Sequence, residues 1–93
     1  MVSNSARPQY LVVAKPSPSF AGHSALVALG AVIRAERLAQ GLSQEALADK
    51  ANVDRSYMGG IERGEHNIAI VNLLKVADAL GVKASTFLSK SDN

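Results

Sequence analysis

Apolar residues recur from about residue 24 onward at the three- and four-residue spacing of helices. Between Ser24 and Gln40 they fall at Leu26, Leu29, Val32, Ile33 and Leu38, which predicts a first helix burying that face and stopped by Gly41. A second helix is predicted over Gln44 to Ala51. Ser43 is its N-cap, and Leu47, Ala48 and Ala51 share one side while Glu45 and Asp49 point elsewhere. Ala48 is small enough to let another helix approach closely. Asn52 enters the left-handed region cheaply, so the chain can turn there, with Val53 plugging the corner. Asp54 then caps a third helix, which runs to about Glu62 and which Gly64 can end. Ile70, Leu73, Leu74, Ala77 and Leu80 set the period of a fourth helix stopped by Gly81. A short fifth helix, Ala84 to about Leu88, carries Phe87 and Leu88.

These elements need no strand in the core, and they predict an all-α, compact five-helix domain over residues 24–89. The tail, residues 90–93, is polar and expected to fray, fraying that sets in at Ser89. Residues 1–23 read differently. They contain all of the prolines, Pro8, Pro16 and Pro18, and show no helical period, so a mobile N-terminal arm is expected. Within it Gln9 to Lys15, QYLVVAK, has the β-branched and aromatic content of a short strand. Three readings stay open for that segment: pairing between two arms, an extended peptide lying on the domain, or disorder. Arg7 and Lys15 are additional candidates for meeting phosphates.

The third helix divides its residues by angle. Tyr57, Met58 and Ile61 fall on one side and Arg55, Ser56, Gly59, Gly60 and Arg63 on the other. The first set packs, and the second is left to touch something. Two short helices joined by a tight turn, the second with a polar outer stripe, have the geometry that places side chains in the major groove of DNA. Buried helical hairpins share the same apolar pattern.

Composition narrows the picture. In 93 residues there is no cysteine, and His23 and His66 lie far apart, so neither a disulfide nor a metal site is expected and no cofactor is implied. The core must be aliphatic. The apolar run Tyr10 to Ala14 is too short for a signal-peptide core or a membrane span. With the absence of cysteine, this leads to the expectation of a cytoplasmic protein with no membrane partner. A formal net charge of only +2 means that nucleic-acid binding would rest on a local basic stripe. Arg34 and Arg37, three positions apart on the first helix, are either both solvated or include one paired inside the fold.

The stretch from Leu29 to Leu88 resembles the lambda-repressor-like, Xre-type helix-turn-helix domain. The carrying residues are IRAERLAQGLSQEALADKANVDRSYMGGIERGEHN, followed by LLKVADALGV. Within that family Asp54, Arg55, Ser56, Tyr57, Gly60, Ile61, Glu62, Arg63 and Asn67 resemble the controller proteins of restriction–modification systems. The resemblance implies roles. Gln44 corresponds to a residue that contacts the DNA backbone, Arg55 and Ser56 to base-reading positions, and Tyr57 to one that meets phosphate or sugar. Arg63 and Asn67 correspond to backbone-gripping residues that flank the recognition helix. Arg37 and Glu62 correspond to an ion pair inside the domain. Gly59 and Gly60 depart from the family, whose members often carry longer side chains there. That shifts base reading onto Arg55 and Ser56 and leaves bare backbone, at Gly60 among others, to approach DNA. Ala69 stands where a Ser or Thr cap is common, so Asn67 is also a candidate local cap.

The expected function is a sequence-specific transcriptional regulator that binds double-stranded DNA, a palindromic operator, as a homodimer. The resemblance implies that Phe87 and Leu88 of the fifth helix, with the end of the fourth, form a dimer interface about a two-fold axis; the alternative is that both residues close the core of a single chain. The alternative is a protein-interaction module, such as an antitoxin whose N-terminal arm binds a partner. An enzyme is not expected. No Ser/His/Asp or Cys/His set, phosphate loop or convergent carboxylate pair can be named.

Overall fold

Capping side chains decide where the first three helices begin. The computed structural model describes residues 22–92, which form α1 (Ser24–Ala39), α2 (Gln44–Ala51), α3 (Arg55–Glu62), α4 (Ile70–Leu80) and α5 (Ala84–Ser91), with no strand among the described residues. Arg7, Lys15 and the strand expected over residues 9–15 lie outside that range. Ser43 Oγ accepts from the Ala46 N–H at 3.0 Å and opens α2. Asn52 closes it in the left-handed conformation, φ 58° and ψ 48°. Asp54 accepts from the N–H groups of Ser56 and Tyr57 at 3.0 and 3.3 Å, which starts α3. Gly81 ends α4 at φ 68°.

Two boundaries differ from the sequence reading. His23, one residue earlier than expected, caps α1, its Nδ1 accepting from the Ala25 N–H at 3.1 Å. Helix α5 continues through Ser89 to Ser91, and Ser91 Oγ donates to the Leu88 carbonyl at 3.1 Å. The polar residues after Leu88 therefore extend the helix as its solvent face instead of fraying from Ser89.

Helix α1 packs on α3 and α5, α2 on α3 and α4, and α4 on α5. Their shared core holds Leu29 and Ile33 of α1, Leu47, Ala48 and Ala51 of α2, Met58 and Ile61 of α3, Leu73, Val76, Ala77 and Leu80 of α4, and Phe87 of α5. Each fully buried large side chain contributes about 1.5–3 kcal/mol of transfer free energy. Val53 and Leu42 are half-buried against this core at the turns beside α2.

The faces of α1 and α4 are rotated from the expected ones. Leu38, Ile70 and Leu74 are exposed, while Val76 is fully buried. Leu73, Val76, Ala77 and Leu80 form an i, i+3, i+4, i+7 stripe that meets α2 and α5, and Leu74 sits about 100° away from Leu73. On α1 the inner stripe is Leu29, Gly30, Ile33 and Arg37. A Cβ on Gly30 would lie 2.6 Å from the Glu62 carbonyl oxygen and closer still to that of Ile61. Glycine thus brings α1 against the C-terminal end of α3 and aims Arg37 at Glu62.

Candidate nucleic-acid interface

Arg55 and Ser56 form the exposed first turn of α3, directly after the Asp54 cap. The Asp54 carboxylate is held below the usual range by the Ser56 hydroxyl first, then by the Tyr57 and Ser56 N–H groups and the Arg55 charge. It stays ionised at neutral pH and keeps the turn closed. Tyr57 is half-buried, and its hydroxyl oxygen accepts from Asn72 Nδ2 of α4 at 3.0 Å. The phenolic proton can still be donated outward.

Behind this surface lies a three-helix polar junction. Arg37 Nε and Nη2 donate to Glu62 Oε2 and Oε1 at 2.6 and 2.9 Å, and Nη1 donates to the Leu42 carbonyl at 2.8 Å. The side chains of this pair are only 8% and 2% exposed. Hydrogen bonding to Glu62 is the largest cause that raises the guanidinium above its ordinary value. Gln44 Nε2, from the first turn of α2, donates to Glu62 Oε1 at 2.9 Å. The second hydrogen of that amide can donate to a phosphate, and the junction fixes where it starts from. Arg34, by contrast, is exposed.

Gly59 and Gly60 are buried, which corrects the expectation of bare backbone approaching a ligand. Each is covered by a side chain from further along. Arg63 Nη1 lies 3.1 Å and Gln44 Oε1 3.5 Å from where a Gly59 Cβ would be, and the edge of the His66 ring occupies the place of a Gly60 Cβ. The His66 ring also lies 5.0 Å from that of Tyr57, tilted by 35°. Arg63 is exposed and bonded to Glu65, Nε to Oε2 at 2.9 Å and Nη2 to Oε1 at 3.1 Å. Asn67 is exposed on the loop before α4.

Arg55, Ser56, Tyr57, Arg63, Gln44 and the loop that carries Asn67 thus gather around α3, whereas Gly60 lies beneath His66. Phe87 is not at the surface. It is 1% exposed and closes the core of its own chain, while Leu88 beside it is 49% exposed. Adjacent helix positions are about 100° apart, so one of the two had to point away from the other's surroundings. Sequence reasoning missed Glu65, His66 and Asn72 as neighbours of the candidate residues. Only Glu65, opposite in charge and two positions from Arg63, left a readable signal.

Residues 33–87 match the family model described as helix-turn-helix. A hypothetical transcription factor of Neisseria meningitidis is 45% identical over 56 residues, 60% of this chain and 53% of that protein. The chain therefore spans about half the length of that curated relative. Control protein C.BamHI of Bacillus amyloliquefaciens is 38% identical over 60 residues, 63% of this chain and 74% of that one. The crystal structure of the restriction-modification controller protein C.AhdI from Aeromonas hydrophila superposes with a TM-score of 0.69 and 46% identity, covering 70% of this chain and 98% of that chain.

Proposed function

The chain belongs to the helix-turn-helix family, and from that premise we propose that it is a sequence-specific DNA-binding regulator of transcription, working as a homodimer on a palindromic operator. The observation that carries this reading is the exposed start of α3, where Arg55 and Ser56 project from a capped, ionised turn held at a fixed angle to α2 by the Arg37–Glu62–Gln44 junction. A rigid helix whose polar N-terminal residues face outward suits insertion into the major groove. The names of its relatives, a transcription factor and a control protein, support a regulatory role.

In this reading Arg55 and Ser56 meet base edges, and Gln44, Tyr57, Arg63 and Asn67 meet the backbone. The second copy covers Leu88 of α5 and Ile70, Val71 and Leu74, the exposed apolar residues in the first half of α4, in place of the end of that helix, where Leu80 is buried. Pairing of two such small domains doubles the DNA contacts and gives the operator its symmetry.

Selection of binding sites from random duplexes tests the proposal. The wild type is expected to enrich an inverted repeat. Arg55→Ala should lose preference at one base pair per half-site, since a bidentate arginine–guanine pair discriminates by about 1–3 kcal/mol. An unchanged consensus would remove Arg55 as a base reader. Failure of the wild type to enrich any sequence would overturn the reading itself.

A further inference from the structure

We propose that Glu65 is an internal competitor for the phosphate-binding edge of Arg63, and that it limits how tightly this protein holds DNA of any sequence. The inference rests on the DNA-binding reading above. The geometry that carries it is the two-pronged pair, in which Arg63 Nε and Nη2 meet Glu65 Oε2 and Oε1 at 2.9 and 3.1 Å. Two parallel N–H donors facing two oxygens is also the way a guanidinium grips a phosphate. A phosphate arriving at that edge finds a carboxylate already there.

The turn after α3 builds this arrangement. Gly64, at φ 74°, reverses the chain, and the Glu65 N–H donates to the Gly60 carbonyl at 2.9 Å, which folds Glu65 back beside Arg63. Gly59, with no Cβ, lets the third nitrogen of the guanidinium, Nη1, lie over α3 next to Gln44, another candidate backbone contact. The pair therefore sits on the face proposed to meet DNA. Arg63 beside it, through its hydrogen bonds first and then its charge, holds the Glu65 carboxyl below its ordinary value, so the competitor is ionised at neutral pH.

The strength of the pair makes it a competitor and not a block. Its side chains are 59% and 55% exposed, and ion pairs of that exposure are weak and easily exchanged. A phosphate can displace Glu65, but part of the gain from binding Arg63 is spent on releasing the carboxylate and leaving it near a polyanion.

The experiment is a double-mutant cycle read by DNA affinity. Wild type, Glu65→Gln, Arg63→Ala and the double variant are titrated against the duplex enriched by selection and an unrelated duplex of equal length, over a salt series, with melting curves to confirm folding. Glu65→Gln is expected to bind both duplexes about three- to fivefold more tightly at low salt. In the Arg63→Ala background the same change should give less than about a twofold gain, because no guanidinium is left to be freed. An equal gain in both backgrounds would mean that Glu65 merely repels DNA, and would overturn the competition. Weaker or unchanged binding by Glu65→Gln would overturn it as well, by making Glu65 a support for Arg63 or irrelevant to it. A wild type that binds neither duplex would instead bring down the DNA-binding reading, an outcome distinct from all of these.

Discussion

Arg37 and Glu62, 25 residues apart in the chain, meet through two hydrogen bonds of 2.6 and 2.9 Å across the contact between α1 and α3. Glu62 also receives Gln44 from α2, so one carboxylate ties three helices together.

Because the pair is buried, removal of either partner leaves a charge without its counter-ion. Glu62→Gln and Arg37→Met should each cost about 3–5 kcal/mol. The double variant should lose less than the sum of the two, since neither charge is then stranded. Denaturant unfolding of all four proteins checks this. Additive losses would mean that the two residues stabilise the fold independently.

Gly30 and Gly60 should respond oppositely to alanine. At Gly30 the new methyl group meets backbone carbonyls of α3, which cannot move without separating the helices, and Gly30→Ala should cost about 1–3 kcal/mol or more. At Gly60 the nearest atoms belong to the ring of the exposed His66 side chain, which can swing away. The helix gains up to about 1 kcal/mol from replacing glycine in its interior, so Gly60→Ala should melt at or above the wild-type temperature. Comparable losses in both variants would refute the distinction.

The Asp54 cap gives a pH dependence of known sign. Its folded-state value is depressed, chiefly by the Ser56 hydroxyl and the Tyr57 N–H. Such a group contributes stability above its unfolded value, and that contribution is lost as pH falls through the lower folded value. Asp54→Ala should therefore melt below the wild type at pH 7, with the gap closing in acid. Melting curves of both proteins between pH 7 and pH 2 test this, and a gap independent of pH would contradict it.

Phe87 and Leu88 separate stability from assembly. Phe87→Ala empties a fully buried site and should cost about 3–5 kcal/mol, in contrast to the mild effect expected of a residue on a dimer axis. Leu88→Ser alters an exposed position, where changes usually stay within about 0.5 kcal/mol for the isolated chain, and should lower self-association. Sedimentation over a concentration series, with melting at low concentration, distinguishes them. A Leu88→Ser protein that associates as well as the wild type would exclude Leu88 from the proposed interface.

What the sequence determined by itself was local. The ends of α2 and α4 and the caps at Ser43, Asn52, Asp54 and Gly81 follow from hydrogen bonds and backbone angles settled within a few residues, and these were legible from residue type and order. The division of helices into five, and the resemblance carried by Leu29 to Leu88, followed from the same local signals read in series. What only the tertiary structure decided was which side of α1, α4 and α5 met a neighbour. Leu73 and Leu74, or Phe87 and Leu88, are equally apolar, and the choice between them depends on the rotation of α4 and α5 against partners distant in sequence. The same holds for Gly59 and Gly60. They look bare on a helical wheel, yet Arg63, one turn further along, lies over Gly59 and the turn at Gly64 lays His66 over Gly60, because a vacancy beside a backbone is filled by whichever side chain the fold brings within reach.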